Sequence, residues 1–322
     1  MKRIPRRSFL KSAILPLAVP FAVPATSGPF AWLQGTTGQA PGPTVHFPTS
    51  PRERIAVASY PFREYVRGKS DSPAASQAKM ALQDFPAHVR AKFAIQNIEP
   101  WSEHFLSLEP AYLDELRNAA SKAGVRFANI AADGDDSPYS ELAEERDRAS
   151  RFCRQWMDAA AALGSPSVRT NIPAAQNAKP DARRLAERLK PIAEYAASRN
   201  VVVHLENDNP VSEDPFFLAE LLDRVNSPWL RALPDFGNSL AALPTEDAYR
   251  GLDQLFARSY GISHVKDTIT QGGKTVRVDL ARVFALASKH GYKGYFSMEW
   301  DTEGDVYAGT AKLIAASMNH IA

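Results

Sequence analysis

Four side chains stand out by type and spacing: Glu206 in VVVHLEN, Asp235 in LRALPDF, His264 in GISHVKD and Glu299 in YFSMEWD. Each ends, or nearly ends, a short apolar run, and successive members lie roughly 30 residues apart, the length of one strand-helix-strand crossover. An ionised carboxylate drawn out of water is costly unless it is paired, hydrogen-bonded or bound to a metal. Two carboxylates ~4 Å apart repel by roughly 4 kcal/mol at an effective dielectric of 20, so three in one pocket need a strong counter-charge. One divalent ion supplies it. Three carboxylates with one imidazole suit Mn²⁺, Mg²⁺, Co²⁺ or Zn²⁺ and leave coordination places for a substrate. The other fate open to each acid is ordinary: capping a helix, or pairing with a nearby Lys or Arg.

Convergence requires a scaffold. Apolar runs at 55–60, 93–99, 125–131, 165–171, 201–207, 230–236, 261–267 and 295–301 alternate with amphipathic helical patterns, which implies β/α units around a parallel sheet. In EPAYLDELRNAASKAG, Leu113, Leu116, Ala120 and Ala123 recur at helical spacing, and Gly124 is a helix stop. Helices are expected at 181–200, where Pro191 should kink or restart the helix, at 279–290, and over VYAGTAKLIAASMNHI at the end. Eight such pairs predict a (β/α)₈ TIM barrel over 53–322. A doubly wound open sheet would usually carry a glycine-rich turn after its first strand, and ASYPFREYV has none. In a barrel the strand ends carrying the four residues form one mouth, and side chains two apart on a strand point the same way.

LEND, PDFGN, HVKD and SMEWD together resemble the xylose-isomerase-like barrels of the sugar phosphate isomerase/epimerase family, which include ketose 3-epimerases. The resemblance covers nearly all of 53–322. It implies that Glu206, Asp235, His264 and Glu299 bind one divalent metal, and that Glu206 and Glu299 act as acid and base on opposite faces of a sugar carbon. Such a metal polarises a carbonyl, and a carboxylate on each face removes and returns the neighbouring proton through an enediolate. The implied activity is sugar isomerisation or epimerisation. The same deprotonation gives elimination or hydration of an oxidised sugar or glycoside when a leaving group sits on the next carbon. A third reading is a sugar-binding barrel without turnover, against which the intact quartet speaks. Many ketose epimerases carry a histidine three residues after the aspartate, where this chain has Asn238. Related abasic-site endonucleases need several more histidines than the seven present, of which His46, His88, His290 and His320 fall in the linker or in helical stretches.

Further candidates to touch a small carbohydrate are Lys266, His204 and Arg169 on the strands, Asn238 just past Asp235, Glu99, Trp101 and His104 after the second strand, and Tyr60 with Phe62 after the first. Glu99 is expected behind the ligands rather than on the substrate. The chain of 322 residues is 44% apolar and 23% charged with a net charge of +2, an ordinary globular balance without a basic field for nucleic acid. The single cysteine, Cys153, excludes an internal disulfide and falls on an apolar helical stripe with Ala149, Phe152, Trp156 and Ala160. Residues 1–33 open with a basic segment and an apolar run broken by Pro16 and Pro20, a signal peptide rather than a membrane span. Within it Arg6-Arg7-Ser8-Phe9-Leu10-Lys11 resembles the twin-arginine consensus, with Pro5 where Ser or Thr is usual. That implies export of an already folded protein to the periplasm or beyond, a route that would allow a metal to be loaded in the cytoplasm first. Residues 34–52, rich in Gly, Pro and Thr, are expected to be a linker. A homo-oligomer is compatible with all of this.

Overall fold

Apolar strands without a solvated face are stable only when helices cover them, and this chain wraps its strands into a covered ring. The computed structural model describes residues 41–69, 80–271 and 274–321; the expected leader and the start of the expected linker lie outside the described residues. Strands β1 (Ile55–Ala58), β2 (Asn97–Glu99), β3 (Arg126–Phe127), β4 (Ala131–Ala132), β5 (Ser167–Thr170), β6 (Val202–Glu206), β7 (Leu230–Leu233), β8 (Ile262–Val265), β9 (Thr268–Gln271), β10 (Lys274–Arg277) and β11 (Tyr295–Met298) occur in chain order. Parallel pairing runs β3-β2-β1-β11-β8 on one side and β4-β5-β6-β7 on the other. The predicted third strand is broken into β3 and β4, which pair with β2 and β5 respectively. At the second seam the His264 N–H donates to the Pro234 carbonyl and the Phe236 N–H to the His264 carbonyl, each at 3.1 Å. These bonds close a (β/α)₈ barrel.

The outer helices are Phe85–Phe93, Pro110–Ala123, Ala143–Leu163, Ala182–Arg199, Pro215–Val225, Thr245–Phe256, Leu280–Lys289 and Val306–Met318. Each follows one barrel strand. Among the described residues none is long and apolar enough to cross a membrane. Pro110–Ala123 buries Leu113, Leu116 and Ala120, and it stops where Gly124 takes φ +64°, a left-handed conformation that glycine adopts without steric cost. Pro191 does not restart its helix, which runs unbroken through it. A proline in a helix interior withholds one backbone donor, and the seven buried residues on this helix's inner face hold it together. The short helix Asn238–Ala242 and the antiparallel hairpin β9-β10 are additions that helical and strand periodicity did not disclose.

Residues 41–52, exposed or half-buried throughout, lie against the barrel at a few points. Trp229 Nε1 donates to the Pro41 carbonyl and Tyr260 Oη to the Pro43 carbonyl, and Phe47 sits edge-on to both Tyr260 and Tyr295. With Ala56, Ala128, Leu233, Ile262 and Tyr295, Phe47 completes a small apolar cluster distinct from the main core. Cys153 is partly buried against the main core.

Helix Val306–Met318 ties this packing to the mouth, because a methyl group at Gly309 would lie 2.2 Å from Trp300 Cε2. Trp300 follows Glu299 directly. Overpacking a filled contact costs about 1–3 kcal/mol, so Gly309→Ala should lower the urea midpoint accordingly. An unchanged midpoint would show that the helix is not seated on Trp300.

Candidate metal centre

All of β6 is buried, including Glu206 at its end. The β6-β7 ladder ends at the Glu206–Leu233 pair, and Pro234 follows. Asn207 takes over there. Its Nδ2 donates to the Asp235 carbonyl at 3.1 Å and to Ser239 Oγ at 2.9 Å, and its Oδ1 accepts the Asp235 N–H at 2.7 Å. Asp235 Oδ1 in turn accepts the N–H groups of Gly237 and Asn238 at 2.8 and 2.7 Å. One carboxylate oxygen is thereby fixed by backbone and the other, Oδ2, is left for the interior. His264 is the β8 partner of Asp235 across the seam. Its Nε2 lies 3.0 Å from both oxygens of Glu99, and its Nδ1 lies 2.8 Å from Glu206 Oε1 and 3.2 Å from Glu299 Oε2. Glu99 is itself held by Asn129 Nδ2 at 2.6 Å.

One candidate ligand atom from each of Glu206, Asp235, His264 and Glu299 lies within 4.8 Å of every other. Glu206 Oε2, Asp235 Oδ2 and Glu299 Oε2 are buried and accept no hydrogen bond of proper geometry. Cations approach them nonetheless, with Arg169 Nε 2.9 Å from Glu206 and Lys266 Nζ 3.2 Å from both Asp235 and Glu299. The pairing fate open to each acid is thus partly realised, yet three buried lone pairs lack directed donors, and such groups are rare. The carboxylates of Glu99, Asp133, Glu206, Asp235 and Glu299 also outnumber the cations Arg169 and Lys266. Three such oxygens beside one imidazole nitrogen are a donor set that suits a divalent ion, with Glu99 holding the outer nitrogen of the ring.

The same charges move the proton affinities apart. Burial raises Glu206 to a pKa of about 7 against the opposing pull of His264 and Arg169. Burial likewise raises Asp235 despite Lys266. Glu299 falls well below the usual carboxylate range, because His264 and Lys266 outweigh its burial. Burial disfavours the charged forms of His264 and Lys266, but the surrounding acids hold both well above their ordinary values.

A cavity of about 540 Å³ adjoins the cluster, lined by Tyr60, Arg169, Asn238, Lys266, Glu206 and Glu299 among others. Asp235 and His264 are fully buried behind it. Lys266 Nζ also donates to Asn238 Oδ1 at 3.0 Å. Trp101 stands edge-on to Tyr60 and donates its indole N–H to Asp133 at 2.6 Å, and Asp133 ion-pairs with Arg169. Three sequence candidates are not at the mouth. His204 is completely buried and accepts the Gly261 N–H, since the strand places it one inward step below Glu206. His104 is buried on Ser59. Phe62 packs in the core against Phe85 and Phe93 rather than walling the cavity. Sequence reasoning missed Asp133, although it follows an apolar run as the other acids do. It also missed Asn129 and Asn207, whose neutral amides carry no charge penalty to flag them.

The sequence model of the family described as xylose isomerase-like TIM barrel matches residues 91–322. Over 178 residues the chain is 28% identical to the 3'-dehydrocarminate deglycosidase alpha subunit of a Microbacterium species, an alignment covering 52% of this chain and 48% of that one. The chain therefore spans about half the length of this curated relative. Among solved structures, a xylose isomerase-like TIM barrel protein from Mycobacterium smegmatis in complex with magnesium superposes with a TM-score of 0.63 at 16% identity, covering 83% of this chain and 97% of that one. The 3-keto-D-glucoside 4-epimerase from E. coli gives 0.61 at 12% identity, covering 83% and 99%. At these identities the likeness establishes the fold.

Two outcomes are expected. Equilibrated with Mn²⁺ and desalted, the protein should retain close to one ion per chain, His264→Ala should retain far less, and chelation should lower Tm; equal retention by both proteins would exclude the quartet as the site. Burial holds His104 down at a pKa of about 4, whereas an unfolded histidine titrates near ~6.5. Its contribution to stability is therefore complete above that value and is lost as pH falls toward 4. His104→Gln should flatten the pH dependence of the unfolding free energy in this window by about 1.4 kcal/mol per pH unit, and an unaltered slope would contradict the assignment.

Proposed function

Since the chain belongs to the xylose isomerase-like TIM barrel family, we propose that it is a divalent-metal-dependent enzyme that removes a proton beside the carbonyl of an oxidised sugar, and that its substrate is a keto-glycoside from which it expels the aglycone. One observation carries the reading: Glu206 and Glu299 both approach His264 Nδ1 and line one cavity. Two carboxyls facing one cavity can serve as base and acid on a substrate held between them. A divalent ion held by Glu206, Asp235, His264 and Glu299 would supply Lewis acidity toward the carbonyl oxygen.

The protein's own groups do the rest. Glu299, beside Lys266 Nζ, takes the proton; Glu206, beside Arg169 Nε, delivers one. Lys266 and Asn238 stand on the cavity wall as partners for sugar hydroxyls. In a 3-ketoglycoside the C2–H bond lies next to the carbonyl and the glycosidic oxygen lies on the carbon beyond. Breaking C2–H forms the C1–C2 double bond and breaks C1–O. The electron pair leaves on the aglycone oxygen, which the protonated carboxyl neutralises, and an unsaturated keto-sugar remains. A cavity of about 540 Å³ lies in the range that takes up a drug-sized ligand rather than one small ring. The activities named for the deglycosidase subunit and for the keto-glucoside epimerase support a keto-glycoside as the substrate class. Export by the twin-arginine route, read from residues 1–33, belongs to the same proposal and suits an unphosphorylated substrate.

A second reading, epimerisation, is favoured by the pairing of two carboxyls around one centre, since removing and returning the C4 proton needs the same groups. Product analysis by proton NMR in D₂O, with a 4-nitrophenyl 3-keto-glucoside and Mn²⁺-loaded protein, separates the two. Release of 4-nitrophenol with an unsaturated sugar is expected; an epimer without release gives the second reading, and no change removes both. General acid-base groups contribute about 10²–10⁴-fold, so Glu299→Gln should slow turnover by that order, and unchanged turnover would remove its role.

A further inference from the structure

A cleft of about 870 Å³ lies on the mouth face of the barrel, next to the cavity that Glu206 and Glu299 line. Its walls are drawn from residues 61–65 after β1, from the β9-β10 hairpin after β8, and from residues 300–306 after β11. All three segments leave the C-terminal ends of their strands, the face on which barrels do chemistry. β1 and β11 are paired neighbours, and Arg63 Nη2 donates to Asp301 Oδ1 at 2.8 Å, so their loops make one bank. The hairpin makes the other. Each bank lends one residue to both spaces, Asp301 from the first and Thr270 from the second. Asp301 pairs with Arg63 on its own bank and Thr270 with Thr275 on its own, and among the described residues no hydrogen bond joins the hairpin to residues 60–65 or 299–304. The border between cleft and mouth is thus a gap between two banks, not a bonded wall.

The lining is polar on both banks. Thr270 Oγ1 lies 3.0 Å from Thr275 Oγ1, and Thr268, two residues from Thr270, shares that face of the hairpin. Ile269, on the opposite face, lies against Gly237. The hairpin therefore brings three hydroxyls to the cleft. The other bank supplies the Arg63 guanidinium and the Asp301 carboxylate, both partly exposed, and the Trp300 indole. That indole is seated on the last helix, where a Cβ at Gly309 would lie 2.2 Å from its Cε2. At its rim Gly304 takes φ +125°, a backbone conformation suited to glycine, and turns the loop beside Trp300 Cη2. An apolar group laid here would cover the hydroxyls and charges without returning their hydrogen bonds, which is unfavourable. A sugar ring returns them, and its C–H edges suit an aromatic side chain with one wet end.

We infer that this cleft is the subsite for a second sugar ring, so that the group joined to the keto-sugar in the mouth is itself a saccharide. The inference rests on the keto-glycoside reading. On a keto-disaccharide C2–H and C1–O break, the C1–C2 double bond forms, and the departing oxygen takes up a proton and leaves as part of a free sugar. The test uses 3-keto-cellobiose and 3-keto-maltose, with methyl 3-keto-glucoside as the one-ring reference. The wild type should favour at least one disaccharide over the methyl glycoside by roughly tenfold or more in kcat/KM. Thr275→Trp fills the cleft from the exposed hairpin and Thr302→Trp from the other bank; neither position borders the mouth cavity, and thermal unfolding checks that both variants fold. A folded filled variant should raise KM for the favoured disaccharide by about tenfold, with the methyl glycoside little changed. Turnover of the methyl or 4-nitrophenyl 3-keto-glucoside without preference for a disaccharide, or folded variants that affect both substrates equally or not at all, overturn the subsite and leave the reaction standing. If none of these glycosides is turned over, the keto-glycoside reading is lost, and cellobiose and maltose themselves then judge the cleft by saturation-transfer NMR. Signals given by the wild type and lacking in the filled variants retain a saccharide site; signals from none, or equally from all, overturn it.

Discussion

Gathering carboxylates around a single buried imidazole is the constraint on which the mouth of this barrel depends. Glu99 faces one side of His264 while Glu206 and Glu299 face the other, and Asp235 is its strand partner. In a medium of low effective dielectric such a cluster is strongly self-repelling unless positive charge enters it. Arg169 and Lys266 answer part of this demand from the cavity wall. The three acid oxygens that still lack directed donors mark where a divalent ion would complete it.

The scaffold makes this arrangement possible by what it does at the ends of strands. Regular ladders stop at Glu206 and at Leu233, and the β7-β8 seam continues through single bonds about Pro234 and His264. Side chains then do the work of backbone: Asn207 bridges the end of β6 to Asp235, while Asp235 spends one oxygen on the turn that starts the next short helix. The acids that cap outer helices, Asp181, Asp214, Asp279 and Asp305, behave differently. They sit in loops and accept helix N–H groups, and none of them contributes to the quartet. Position at a strand end, rather than acidity, separates the two groups.

This also explains how far the sequence could be read. Apolar runs and helical stripes are local patterns, so the eight β/α units and the strand-end quartet were visible. Direction along a strand was visible as well, which put Lys266 on the side of His264. Depth was not: His204 and Glu206 share one face of β6, yet one step inward turns a wall residue into a buried one. Breaks in pairing escaped too, because splitting the third strand and adding the β9-β10 hairpin depend on neighbours far away in sequence. Asn129 and Asn207 were invisible for a different reason, since an amide enters a core at little cost once its hydrogen bonds are met.

The account is tested most directly by anomalous diffraction at the manganese edge from crystals grown with Mn²⁺. The expected result is one strong peak enclosed by Glu206, Asp235, Glu299 and the Nδ1 side of His264, with Lys266 displaced or held at its margin. A map with no peak there, or with manganese bound only elsewhere, would contradict it.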